Sequence, residues 1–347
     1  MVDGIETDNY NNIDTNEIES IYILKDASAT AVYVVRGANG VLIITTKRGK
    51  IGKPQISFSS QYATSRFTNI LHAMDGYNYA TNYNLARAYD GYITGGYTPV
   101  FTDAYIAHFK AQDDPVFYPS VDWSNYMFNK SSGQSQNNIN ISGGTENVKY
   151  FVSAGYFNQD GLLNHTDLQK DFDANPIYKR YNIRSNFDFN ITKRFSATVN
   201  LSTQIENRGG MDPTNITRVF EAVWSGNPVD HPLPENVGGR FVILDGALTK
   251  LNPLYFMFNS GYYKDYHNYL NSSLRFNYLF DFITKGLSAH ATVSYNNFNQ
   301  QTINYRKNYV QYKAKRLADN SIVYIPQLDP SPFDFSESFV KNRKTYI

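Results

Sequence analysis

The sequence predicts a mainly β protein built on long antiparallel strands, and three observations predict it. Apolar and polar residues alternate with a period of two through several segments. The connections between those segments are short and long in strict turn. The chain is aromatic without being oily: 16% of its 347 residues are aromatic, as 29 Tyr and 23 Phe against 2 Trp, while mean hydropathy is negative.

Composition also excludes several function classes. The net charge of +1 gives no global pull toward nucleic acid or anionic lipid, so a nucleic-acid partner is not expected. Cysteine is absent, which removes disulfide frameworks, Cys-ligated metals and thiol nucleophiles together. The chain has no run of about 18 apolar residues, so no membrane-spanning helix is expected, but strand crossings leave a much weaker signal and stay open. The N-terminus carries no basic region followed by an apolar core, hence no signal peptide as written.

The clearest strand begins at Tyr181. One face reads Tyr181, Ile183, Ser185, Phe187, Phe189 and Ile191, and the other Asn182, Arg184, Asn186, Asp188 and Asn190. The next sets Phe195, Ala197, Val199 and Leu201 against Ser196, Thr198, Asn200 and Ser202, and segments 270–282 and 287–295 behave alike. Segments 56–62, 137–142 and 148–156 are weaker, which gives seven strands, with an eighth expected near Ser338. Their length of roughly 9 to 12 residues suits a tilted crossing of a hydrocarbon layer.

Short connections fall near 143–147, 191–194 and 284–286; long ones cover about 66–134, 158–178, 206–265 and 299–337. Outer-membrane barrels combine tight periplasmic turns with extended extracellular loops in this way, whereas soluble domains rarely carry several connections beyond about 15 residues. Two hairpins share a Thr-Lys tip, Thr192-Lys193 and Thr284-Lys285, and read as one turn solution used twice. Short helices are expected inside the long connections at 75–88, 103–110 and 214–224, each bounded by Gly, Pro or Asp. A soluble β-sandwich would alternate as well, but the polar face here is rich in Asn, Ser and Thr, and Tyr and Phe gather toward strand ends as in aromatic girdles.

Residues 18–50 read IESIYILKDASATAVYVVRGANGVLIITTKRGK. Ile18, Ile21, Ile23 and Leu24 suit a first strand, Asp26 and Ser28 a helix start, and Gly37 and Gly40 a turn into a buried strand at Val41–Ile44. Lys25, Asp26, Ser28, Tyr33, Arg36, Gly37, Asn39 and Gly40 form a motif that resembles the end of the plug domain in SusC/RagA-type TonB-dependent outer-membrane transporters. Val2-Asp3-Gly4 resembles the Val-Asp-Gly ahead of that segment, which places Met1 inside the plug. More weakly, Val121-Asp122-Trp123, Asn138–Gly144 and Tyr150–Tyr156 resemble the second and third strands of such barrels. One departure is Val34, where relatives carry Gly after the Tyr; Val tolerates a positive φ poorly, so the local turn must differ.

The resemblance implies an internal fragment: the C-terminal part of an α/β plug domain over 1–52, then the first seven or eight antiparallel strands of a large transmembrane β-barrel over 53–347. Barrels of this class have about 22 strands, so the sheet could not close by itself. The resemblance further implies TonB-dependent import of an oligomeric nutrient, a glycan or a peptide, at the cell outer membrane. The plug would gate the lumen, with a SusD-type surface lipoprotein, the TonB complex and outer-membrane lipid as partners. It implies no enzyme activity, cofactor or metal. The alternative is a soluble or surface carbohydrate-binding β-domain. Loop aromatics such as Tyr118, Tyr262 and Tyr263 could face substrate under either reading.

Other chemistry finds little support. His72, His108, His165, His231, His267 and His290 lack ligand spacing, Asp113-Asp114 beside Pro115 suits a solvated turn, and Gly37-x-x-Gly40 lacks the Lys-Ser/Thr of a phosphate loop.

Overall fold

The computed structural model describes residues 1–7, 13–25, 40–168, 170–248, 252–259, 261–327 and 334–346. Strand β1 (Ile18–Leu24) pairs antiparallel with β2 (Val41–Thr46) in a small two-stranded sheet. Val2-Asp3-Gly4-Ile5 closes a tight turn against it, with Val2 bridged to Ile44 and the Asp3 carboxylate accepting from the backbone N–H and hydroxyl of Thr46 at 2.9 and 2.6 Å.

The rest is organised by one antiparallel sheet of eight strands in which each pairs with the next in sequence. In order these are β3 (Gly52–Ser65), β4 (Ser132–Gly144), β5 (Val148–Asp160), β6 (Ile177–Asn190) and β7 (Phe195–Met211), with β8 (Phe241–Ile243) lying outside the sheet in a long connection. The sheet continues through β9 (Tyr262–Leu279), β10 (Ser288–Arg306) and, after β11 (Gln311–Arg316) and β12 (Ile322–Pro326), ends in β13 (Asp334–Tyr346). Strands β3 and β13 are its two edges; the sheet is an unclosed wall.

All eight expected strands are present, but they are longer than expected. The shortest has 13 residues and β10 has 19. The apolar alternation ends short of the strand ends, whereas the hydrogen-bonded ladder continues through polar stretches such as Tyr262–Asn268 toward the long connections.

Burial on the wall is inverted relative to a soluble sheet. Asn182, Arg184 and Asn186 are 4%, 5% and 1% exposed, whereas Ile183 between them is 52% exposed. Asn138, Ser153, Gln204, Glu206, Asp265 and Ser294 are buried on the same polar face, and Ile56, Phe58, Ile139, Leu201, Leu270 and Leu274 are exposed on the other. Polar-in and apolar-out alternation is the pattern of a strand between lipid and a polar interior. Aromatics mark both ends of the apolar band. Phe187 stacks with Phe189 and Phe195 with Phe276 near the short turns, and Tyr156 meets Tyr181 nearer the long connections.

The two Thr-Lys hairpins close differently, which corrects the expectation of one repeated turn. Thr192 Oγ1 accepts from the N–H groups of Arg194 and Phe195, whereas in the second hairpin Asp281 Oδ1 accepts from Gly286. Strand β9 ends at Leu279 and β10 starts at Ser288, so the second turn has more chain to close.

The long connections are ordered into one cap. Helices α1 (Gly76–Thr94) and α2 (Asp103–Ala111) start at Asp75 and Thr102, whose side chains accept from Asn78 and Tyr105. The remaining helices are α3 (Trp123–Met127), α4 (Pro213–Ser225) and α5 (Pro253–Phe258). Trp123, Met127 and Phe128 from the first connection, Leu163 from the second, Val219, Val223, Leu254 and Phe258 from the third and Tyr309 from the fourth share one apolar core. Strand β11 lies parallel to β8 and antiparallel to β12, joining the third and fourth connections. No described helix is long and apolar enough to cross a membrane.

Two predictions follow from this polarity and this cap. Ile183→Arg puts a charge on the outer face and is expected to destabilise membrane insertion by about 2–4 kcal/mol, whereas Ser202→Lys on the inner face is tolerated; the amount of folded protein in outer membranes checks this. Inside the cap, His231 is fully buried with Nδ1 3.2 Å from the Val242 carbonyl, and burial pushes its pKa down to about 4. The unfolded cap takes up this proton near pH 6.5 and the folded cap does not, so the cap keeps full stability above 6.5. It loses up to about 3 kcal/mol as pH falls toward 4. Amide exchange at 241–258, corrected for intrinsic rates, should show this loss, and His231→Gln should flatten it.

Candidate functional site

The site that the fold builds is the seam between the described N-terminal residues, 1–7, 13–25 and 40–50, and the inner face of β4–β7. It starts from alternation: even-numbered residues of β6 point inward, which brings Arg180, Arg184, Asn186 and Asp188 to one face. A short 3-10 turn at Thr15–Glu17, capped by the Asp14 side chain accepting from Asn16 N–H, aims Asp14 and Glu17 at that face just before β1.

Arg184 Nε donates to Glu17 Oε2 at 2.7 Å, and Ser153 Oγ donates to Glu17 Oε1 at 3.0 Å. The Arg184 and Glu17 side chains are 6% and 4% exposed, so the pair lies almost wholly out of solvent. Desolvating two charges is costly, and the pair persists because both carboxylate oxygens are engaged. Above it, Arg180 donates to Asp14 at 3.1 Å. Below it, Asn186 Nδ2 donates to Thr46 Oγ1 and to the Lys47 carbonyl at 2.9 and 2.8 Å. Arg48 then bridges β6 and β7 through Asp188 and Asn200, at 2.9 and 3.0 Å. Asn16 reaches Asn140 on β4 at 3.2 Å.

Backbone geometry lets the segment approach so closely. A Cβ at Gly49 would collide with the backbone of Tyr150 on β5 and with the Gly143 carbonyl, so only glycine lets the chain pass from β2 to β3 against the wall. Gly40 holds φ at +91°, and a Cβ there would press the Leu24 carbonyl at 3.0 Å.

Of the motif residues, Lys25 is exposed at the end of β1 and Gly40 makes the turn into β2. Asp26, Ser28, Tyr33, Arg36, Gly37 and Asn39 lie outside the described residues, as does Val34. The aromatic candidates are not brought together. Tyr118 stacks on His108 at 4.2 Å and edges onto Tyr105 and Phe109, lining a hollow with Asp245 and Arg316. Tyr262 and Tyr263 are not in a loop, which corrects that expectation: they open β9, because the ladder with β7 and β10 extends to their level. Tyr262 is held between Phe172 at 4.7 Å and Tyr305 at 4.6 Å, so both ring faces are already occupied.

Sequence reading missed the ion pairs. Arg180 and Arg184 were visible at alternate positions of an inward face, and Asp14 and Glu17 just ahead of the motif. Their pairing joins residues 167 positions apart and carries no local signal.

If this seam fixes the N-terminal segment, Glu17→Ala strands Arg184 as a buried unpaired charge and should weaken docking by about 3–5 kcal/mol. Amide exchange over 14–24 is expected to quicken, and Glu17→Ala with Arg184→Met should recover much of the loss. Unchanged exchange in Glu17→Ala would count against the seam as the anchor.

No protein-family model matches the chain. It is 32% identical over 185 residues to TonB-dependent receptor P3 of Formosa agariphila, an alignment covering 53% of this chain and 15% of that one. It is 28% identical over 205 residues to TonB-dependent receptor SusC of Bacteroides thetaiotaomicron, covering 56% and 18%. Among solved structures, the RagAB peptide importer in its open-open state superposes with a TM-score of 0.62 at 23% identity, over 88% of this chain and 35% of that chain. The RagAB peptide transporter gives 0.58 at 25% identity over the same shares. The chain therefore spans well under half the length of the relatives it matches. With an inside-out strand wall, a docked N-terminal segment and these relatives, the chain is similar to TonB-dependent outer-membrane β-barrel receptors of the SusC/RagA type.

Proposed function

We propose that residues 1–52 are the C-terminal part of a plug domain and that 53–347 supply part of the barrel wall around it. The protein then imports an oligomeric nutrient, a glycan or a peptide, across the outer membrane. TonB supplies the energy, a SusD-type surface lipoprotein is the partner, and no covalent chemistry is done on the substrate. The observation that carries this reading is the polar seam: the inner face is buried by the protein's own N-terminal segment, through hydrogen bonds that water can replace one for one. A plug that moves aside needs such an interface, because a polar seam re-solvates at little cost whereas an apolar one would not. The hollow beside Tyr118, with Asp245 and Arg316 on its rim, is the cap surface best suited to contact arriving substrate. The alternative, a soluble or surface carbohydrate-binding β-domain, is disfavoured by the breadth of the exposed apolar face.

The test joins gating to energy. Uptake of labelled oligosaccharides or peptides by cells carrying the protein is expected to stop when a protonophore collapses the inner-membrane gradient. It should also stop when Asn16→Cys and Asn140→Cys are bridged by a short bis-maleimide. Uptake that survives the bridge would contradict the gating role, and uptake that survives the protonophore would contradict TonB coupling.

A further inference from the structure

The outer face of the wall changes character toward the long connections. Below, it presents Tyr181 and Ile183 on β6, Leu201 and Ile205 on β7, and Leu270 and Leu274 on β9, all exposed. Register continues that face upward through Lys179, paired with Asn207, which is paired in turn with Tyr266; Lys264 is paired with Gly209 and Ile303. Two lysines thus stand on the lipid-facing side directly above the apolar band, and the same level carries Asp160, paired with Ile177, and Glu337, paired with Ile303 and bound by Gln301. Charge is costly in hydrocarbon and nearly neutral at the interface, so this is the headgroup level.

These residues line a hollow of about 400 Å³, with Ile177, Lys179, Asn207, Tyr262, Lys264 and Tyr266 on its wall. The Phe172–Tyr262–Tyr305 stack forms a rigid side, and Lys264 Nζ lies 5.9 Å from the Tyr262 and Tyr305 rings, held along it. Nearby charges are largely compensated. Asp171 is bound by Lys307 and by the Tyr309 hydroxyl, Arg208 pairs with Glu206 at 2.7 Å, and the acid remaining at the rim is Asp173. Neither Lys179 nor Lys264 is in an ion pair among the described residues. An occupant must place apolar chains against the band below and an anion between the two ammonium groups above, which a soluble nutrient does not do.

The geometry points to a site for an outer-leaflet glycolipid of the lipid A type whose headgroup phosphate is held by Lys179 and Lys264, with its acyl chains on the face below. This rests on the outer-membrane barrel reading, with the long connections outside the cell. The test uses the native protein extracted from outer membranes into detergent, with bis-phosphorylated lipid A, its dephosphorylated form and inorganic phosphate as probes. Binding of the phosphorylated lipid is expected to be at least tenfold tighter than that of the dephosphorylated lipid, and to fall about tenfold in Lys179→Ala/Lys264→Ala. Equal binding of both lipids, or an unchanged double variant, would overturn the site; inorganic phosphate bound as tightly as the lipid would overturn the lipid assignment. Outer-membrane fractionation of the same samples separates the failures: protein absent from that fraction defeats the barrel reading itself, whereas embedded protein without lipid discrimination defeats this site alone.

Discussion

The structure depends on a polar face that has to be buried. The strands present Asn, Ser, Arg and Glu to one side, and over β4–β7 that side is met by residues 13–17 and 46–48 instead of by an apolar core. Arg184 and Glu17 set the terms. A charge pair at this depth is tolerated only with both partners in place and the remaining oxygen satisfied, which Ser153 does at 3.0 Å. The rest of the seam follows from it: the turn at Thr15–Glu17 is positioned, β1 leaves it at a fixed point, and β2 returns Thr46, Lys47 and Arg48 to the same strand of the wall.

Such a seam is specific and inexpensive to exchange. Each hydrogen bond is worth about 1 kcal/mol net when water can replace it. The bonds fix one docked position by geometry, while the free-energy gap to a hydrated, undocked state stays modest. The buried ion pair is the exception that supplies register. The cap works the other way: its core of Trp123, Met127, Phe258 and Tyr309 is apolar and draws on all four long connections, so moving one connection disturbs the others. The molecule thus joins an apolar cap core to a polar seam.

How far the sequence disclosed this depends on the range of the interaction. Alternation is local, so the faces of β6, β7, β9 and β10 were legible from residues such as Ile183 against Arg184. Helix starts at Asp75 and Thr102 were legible because capping is local too. The upper strand ends were not, since Tyr262 to Asn268 is held in the ladder by partners on β7 and β10 and not by its own hydrophobic pattern. Strand β8, three residues long, exists through parallel pairing to β11 some 70 positions away, which no window reveals. The same holds for the Glu17–Arg184 pair. The family motif was legible residue by residue, but it says nothing about which side chains of the wall the neighbouring residues meet.

The wall is inside out, with its apolar face toward lipid and its polar face against the N-terminal segment. The most direct measurement places single fluorophores along β6 and β9, at Ile183, Leu270 and Leu274 and at Asn182, Asn271 and Ser273, in the membrane-embedded protein, and quenches them from lipid and from water. Lipid-borne quencher is expected to act on the first set and not on the second. Equal protection of both sets from lipid, or quenching of Ile183 and Leu270 from water alone, would contradict it.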